Sequence, residues 1–308
     1  MLTKIADIPQ QMLDIYSREL IMDQIPKMYF RQFVDYKLEF GTQPGERIMF
    51  TKLDNLNTNG QLLDEDTPIP KNKMTGSALY ISVSEFGNAA SFSRRASVAS
   101  LRNMLDDAKR VLGRDYNLTM DGYLRDVFQT TANKHYAKSD YSSGTSVAEV
   151  AGKFDKYCLD ELVETAKNMN FPYIDRGGDR FFAFIGTAHQ IRQIRSTSGW
   201  LDARRYVNPS DMLFGEAGRL ENVVFLDTTQ MQSLGTIGSG SVGVQRGLLI
   251  GGGPAVGYGE SVPMELIPGE QEDFGRKQSI AWYMIGGAGI LNDYLIDVYT
   301  ANGLVTLT

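Results

Sequence analysis

Cys158, His135 and His189 are the side chains best suited to nucleophilic or acid–base chemistry, and they fall in unrelated segments. A single cysteine allows neither an intrachain disulfide nor a thiolate cluster. Its setting, KYCLDELV, reads as one face of a helix and offers nothing that would lower the thiol pKa, so a buried structural thiol is expected. Neither histidine has a second histidine or a carboxylate at metal-ligand spacing on its own element. His189 belongs to a short helix, exposed or satisfied there. The segment Gly238-Ser-Gly240-Ser-Val-Gly243 fits the GxGxxG pattern, but a dinucleotide site needs a strand before the glycines and a helix after them. VQRGLLIGGG follows instead, and 251–259 read GGGPAVGYG with no acidic residue to hold a ribose. A mobile surface loop is expected, because ten of the residues 235–259 are glycine and lose much entropy on ordering. The acidic trio Asp64, Glu65 and Asp66 has the oxygen chemistry of a hard-cation ligand set but lacks spaced ligands and a turn glycine. It reads as a solvated hairpin tip or a partner for basic residues. No GxSxG elbow is present. No catalytic constellation, no metal and no cofactor is expected, and the chain does not read as an enzyme.

The elements around these residues mix helix and strand. The first 40 residues read as a helix-rich arm, with aromatics every three or four positions in MYFRQFVDYKLEF and a stop at Gly41. RIMFTKL and ALYISVSEF are strand candidates, the second alternating apolar and polar. Between them DNLNTNGQLLDEDTPIPKNKMTGS is polar and turn-rich. A connection of this length cannot bury enough apolar surface to hold itself in place, so it needs something else to lean on. Val98, Leu101, Leu105, Ala108, Leu112, Tyr116, Met120, Leu124, Val127 and Phe128 predict a long amphipathic helix, with Gly113 as a point of bending or division. KFDKYCLDELVETAKNM and AHQIRQIRS predict two further helices. FFAFIGT, ENVVFLDT, LLIGG, QSIAWYMIGG and DYLIDVY predict strands, and Trp200 and Trp282 are assigned to core packing. The order has no regular βαβ rhythm, which favours an α+β fold.

Charge narrows the function classes. The chain carries 31 basic and 37 acidic residues, a net −6, and its basic groups are short and scattered: Arg94 with Arg95, Arg192 with Arg195, Arg204 with Arg205. Tight, specific DNA binding needs a basic stripe to meet phosphates and is not expected. The longest apolar runs fall far short of the ~18 residues of a membrane span. The opening MLTKIADIPQQMLDIYSREL does not read as a signal peptide, so a cytoplasmic product is expected.

Several stretches in order carry a resemblance: YSRELIMDQIPKMYFRQFV, PGERIMFTKLDNL, the LDEDTPIP tract, RGGDRFFAFIGTAHQIRQIRS, Trp200, FGEAGRLENVVFLDTT (214–229) and GRKQSIAWYMIGGAGILNDYLIDVYT (275–300). In this order they resemble the major capsid proteins of tailed bacteriophages with the Hong Kong 97-type fold. Within that family they are similar to the branch typified by the coat protein of coliphage N-four. GTAHQ at 186–190, where the family more often has proline after the histidine, and the glycine-rich insert at 235–247 depart from the pattern. The resemblance implies an N-terminal arm at 1–44 and an extended hairpin loop at 45–95. It implies a peripheral domain with a spine helix at 96–150 and 261–308, and an axial domain at 151–260. It further implies that the loop touches an adjacent subunit through Phe50, Leu56, Leu63, Asp64, Glu65, Asp66, Pro68, Pro70 and Lys71. The partners it implies are other copies of the chain in pentamers and hexamers, with scaffolding, portal and decoration proteins as further candidates. The icosahedral head would enclose double-stranded DNA without reading its sequence, would form in the host cytoplasm and would end in the virion, with no membrane involved. A nanocompartment shell of the encapsulin kind is the alternative, and a cytosolic enzyme holding a nucleotide on the glycine-rich segment is the remaining one.

Overall fold

In the computed structural model, residues 28–37, 47–53, 56, 62, 69, 71–100, 104–140, 142–176, 178–196, 198–202, 213 and 215–302 are described. After a 3-10 turn at Phe30–Phe33, strand β1 covers Val34–Lys37. β2 (Arg47–Leu53) and β3 (Gly76–Ser82) form a hairpin, and β4 (Ser84–Ser93) follows one residue later. Ser93 starts α1 (Arg94–Ala99), its hydroxyl accepting from the Ala96 N–H at 3.1 Å, and α2 spans Met104–Phe128. β5 (Lys134–Tyr136) precedes α3 (Lys156–Asn168), which the Asp155 carboxylate caps by accepting from the Cys158 N–H at 3.0 Å. β6 (Ile174–Arg176) and β7 (Asp179–Gly186) lead to α4 (Ala188–Arg195), opened by a reciprocal box between Thr187 and Gln190. The strands β8 (Leu201–Asp202), β9 (Glu216–Leu220), β10 (Val223–Asp227) and β11 (Val244–Ile250) come next. β12 (Val256–Pro268), β13 (Lys277–Ile290) and β14 (Leu295–Ala301) complete the set.

Two sheets result. The smaller has the order β1-β12-β13-β4, parallel at β1 and antiparallel elsewhere. The larger runs β5-β14-β11-β7-β10-β9-β8, with β6 on β7, and mixes parallel and antiparallel neighbours. A near-continuous apolar strand is stable only when both of its faces are covered. In β7, Phe181, Ala183 and Ile185 join the core that also holds α2, while Phe182 and Phe184 face the cluster built by Leu159, Leu162, Ile191 and Ile194 of α3 and α4. Fully burying one such phenylalanine is worth about 1.5–3 kcal/mol. The smaller sheet carries α2 on one face. Trp282 donates from Nε1 to the Asp115 carboxylate at 2.8 Å and meets the Tyr116 ring edge-on at 5.4 Å, and Tyr123 Oη accepts from the Ala288 N–H at 3.1 Å.

Three expectations change. VDYK is a strand, not helix: Val34 and Tyr36 alternate along the edge of β12 in register with Val256 and Tyr258. α2 passes through Gly113 without a break, because a glycine costs a long, well-packed helix only about 1 kcal/mol. The glycine-rich region is not a surface loop beyond 243. β11 is an interior strand of the large sheet, and a Cβ at Gly247 would lie 2.5 Å from the Phe184 ring. Those glycines serve close packing. Sheet pairing joins elements distant in sequence: β4 pairs with β13, and β14 pairs with β11 and β5.

Candidate functional site

The chemistry-bearing side chains come first. His135 and Cys158 are buried together, Nε2 lying 3.9 Å from Sγ, with the Glu161 carboxylate 4.0 Å from the same nitrogen. Burial pushes the thiol well above its ordinary range and pushes the imidazole down to about 4. A neutral imidazole beside an undissociated thiol in an apolar cluster supplies no thiolate nucleophile. Among the described residues no group of three or more His, Cys, Asp and Glu side chains could hold a metal ion. His189 is half-buried on α4, its Nε2 against the Asn302 carbonyl oxygen. No described helix is long and apolar enough to cross a membrane.

The GxGxxG stretch is a tight turn pinned to its own chain. The Ser239 N–H donates to the Val150 carbonyl at 2.9 Å, the Gly238 N–H donates to Val242 at 3.0 Å, and β11 follows where a phosphate site needs a helix. A cleft of 430 Å³ does exist, between Phe33 and Val34 on one side and Tyr173 and Gly251–Pro254 on the other. No charged group of either sign dominates it beyond Asp35 and Asp175.

Polar clamps fasten residues 28–37 to the rest. Asp121 of α2 is buried and accepts from the Phe30 N–H at 3.0 Å; its carboxyl is pushed up to about 6, chiefly by burial. Glu260 of β12 accepts from Tyr36 and Tyr258 hydroxyls, each at 2.7 Å, with the Arg31 guanidinium 3.8 Å away. Burial, then the Glu260 bond, pushes Tyr36 up to about 12.

The β2–β3 hairpin is built differently. Its register pairs Ile48 with Ile81 and Phe50 with Leu79 on one face, and Met49 with Tyr80 on the other. The first face is seated at its base. A Cβ at Gly289 would meet Ile81 at 3.0 Å, and one at Gly257 would meet the Phe50 ring at 2.8 Å. Among the described residues nothing covers the hairpin's other apolar side chains: Leu53 is 68 % exposed, Leu62 fully so at 105 %, and Leu56, Ile69, Met74 and Tyr80 are also exposed. Of the loop residues expected at an adjacent subunit, Leu56 and Lys71 are exposed. Phe50 is half-buried, its ring over Gly257 of β12. Leu63, Asp64, Glu65, Asp66, Pro68 and Pro70 lie outside the described residues. The sequence reading missed the clamps Asp121 and Glu260, which only tertiary packing makes visible.

No family model matches the sequence, and no curated protein matches it. Solved structures do match in shape. The capsid of Ralstonia phage GP4 superposes with a TM-score of 0.80 at 16% identity, covering 94% of each chain. The capsid of cyanophage Pam1 gives 0.73 at 13% identity, over 94% of this chain and 96% of that one. The head structure of Helicobacter pylori bacteriophage KHP40 gives 0.69 at 14% identity and 97% of each. At such identities the shared property is the fold: this chain has the mixed helix-and-sheet fold of phage capsid chains over almost its whole length.

Proposed function

We propose that the chain is the major capsid protein of a tailed bacteriophage, self-assembling into an icosahedral head that encloses double-stranded DNA. One observation carries the reading. The β2–β3 hairpin keeps its apolar side chains exposed past its base, on a fold shared end to end with capsid chains. A two-stranded hairpin is marginal alone and needs a further surface. A second copy supplies it, and closed symmetry multiplies moderate contacts into a stable shell of pentamers and hexamers. The scattered charge fits a wall that surrounds DNA without gripping it.

On this reading residues 1–44 are the arm and 45–95 the extended loop touching a neighbour. Residues 96–150 and 261–308, with α2 as the spine helix, are the peripheral domain, and 151–260, with α3 and α4, the axial one. Assembly in the host cytoplasm with scaffolding and portal partners, and membership of the N-four-like branch, belong to the same proposal and rest on the sequence resemblance. Expression of the chain, alone and with its phage's scaffolding protein, tests it. Sedimentation and electron microscopy are expected to show capsomers or spherical particles. A stable monomer under all conditions overturns the reading.

A further inference from the structure

A second protrusion has an anchor that the chain itself does not use. The turn between β12 and β13 holds Asp273 at φ 52°, Phe274 at 54° and Gly275 at 81°, three successive left-handed residues of which two carry side chains that disfavour it. Backbone bonds impose the conformation. The Gly275 N–H donates to Glu272 at 3.2 Å, the Arg276 N–H to Asp273 at 3.0 Å and the Lys277 N–H to Glu272 at 3.2 Å, with an Arg276–Asp273 ion pair at 3.4 Å. What this strained turn presents is the Phe274 ring, 103 % exposed. Glu270 and Glu272 flank it, exposed and without ion pairs among the described residues.

The complementary surface lies on α2. Val111 and Leu118, seven residues apart, share a helix face and are 51 % and 39 % exposed, whereas every other large apolar side chain from Leu112 to Phe128 is at least half-buried. Arg114, three residues after Val111 and four before Leu118, stands on that face beside Asp115, whose carboxylate is taken up by Trp282 and Asn88, and Arg110 stands on its flank; neither arginine has an ion pair among the described residues. An apolar knob rimmed by acids and an apolar stripe edged by bases are thus present in every copy, with neither covered by the described residues of its own copy.

We propose that the β12–β13 turn docks on α2 of a second copy, Phe274 packing on Val111 and Leu118 while Glu270 and Glu272 face Arg110 and Arg114. The inference rests on the shell reading and adds a named heterologous contact to it. Because knob and stripe are different surfaces, the contact propagates from copy to copy and does not close a dimer.

The test uses the full chain under conditions where it assembles. Phe274→Ser is expected to leave the thermal midpoint of the isolated subunit unchanged and to raise the concentration needed for particle formation about tenfold, the loss of one apolar anchor per contact. Assembly equal to that of the unaltered chain overturns the proposal. Mixing a Phe274→Cys chain with a Val111→Cys chain is expected to give disulfide-linked heterodimers inside particles, Cys158 being buried and silent. Links only between two Phe274→Cys chains would show that the turns meet each other and overturn the assignment to α2. Glu272→Arg is expected to weaken assembly and Arg110→Glu to restore it when combined; absence of restoration counts against the pairing. Particles from the unaltered chain with no effect of these changes sink this inference alone, whereas no particles at all sink the shell reading with it.

Discussion

The large sheet and the β2–β3 hairpin show opposite uses of apolar side chains. In the sheet both faces of β7 are covered and a deeply placed charge pair is complete. Asp297 is fully buried, yet Arg246 reaches it at 2.6 Å, and the Tyr299 hydroxyl donates to it at 2.8 Å. In the hairpin the apolar residues past the base are left in solvent. The same chemistry that closes one region on itself leaves the other open to a second molecule. On the proposed shell reading, stability and association are carried by different residues, and mutation separates them.

The largest expected separation is at Arg246. Arg246→Met leaves the Asp297 carboxylate buried without its counter-charge and is expected to cost about 3–5 kcal/mol in the isolated subunit, read as a lower denaturant midpoint at unchanged slope. A midpoint within error of the original would mean that the pair is not a pillar of the large sheet. Acid pH probes the same contrast. His135 titrates near 4 in the folded chain against an ordinary 6.5, so the unfolded chain binds the extra proton and stability falls as pH drops through that window, by up to about 3 kcal/mol. Asp121 titrates near 6 against an ordinary 3.8, so there the folded chain binds the extra proton and stability rises as pH drops from about 6 to 4, by a similar amount. The two nearly cancel. Asp121→Asn is expected to expose the histidine's contribution as a stability that declines from pH 6.5 to 4; an unchanged profile would refute the opposition.

Smaller effects sharpen the comparison. No atom lies within 4 Å of where a Cβ at Gly113 would sit, so Gly113→Ala is expected to raise stability by about 0.5–1 kcal/mol, seen as a higher melting temperature. Leu62→Ser is expected to change the isolated subunit by less than about 0.5 kcal/mol, since the Leu62 side chain is fully exposed, while lowering particle yield. A destabilised monomer would place Leu62 in a core and erase the contrast.

What the sequence made legible follows periodicity. The α2 stripe, the two-sided run at β7, the strands RIMFTKL and ENVVFLDT, and the helices around Cys158 and His189 are local patterns that packing reinforced. VDYK was misread because four residues fit a helical spacing as well as a strand, and pairing with Val256–Gly259 decides between them. The glycines of 247–257 were misread because entropy argues for a loop, whereas the Phe184 and Phe50 rings demand a side-chain-free backbone. Of the candidate site, the polar character of the long loop was visible. The clamps at Asp121 and Glu260 were not, since a carboxylate on a helix or strand looks solvated until the partner arrives from 91 or 224 residues away.

The position of β14 sets an order of events on the ribosome. Residues 295–301 slot between β5 and β11, strands made some 160 and 50 positions earlier, so neither of those edges can be filled while translation is still short of that point. A product ending before Leu295 would therefore leave the β5 and β11 edges bare, and the larger sheet closes there only once the last strand has been made.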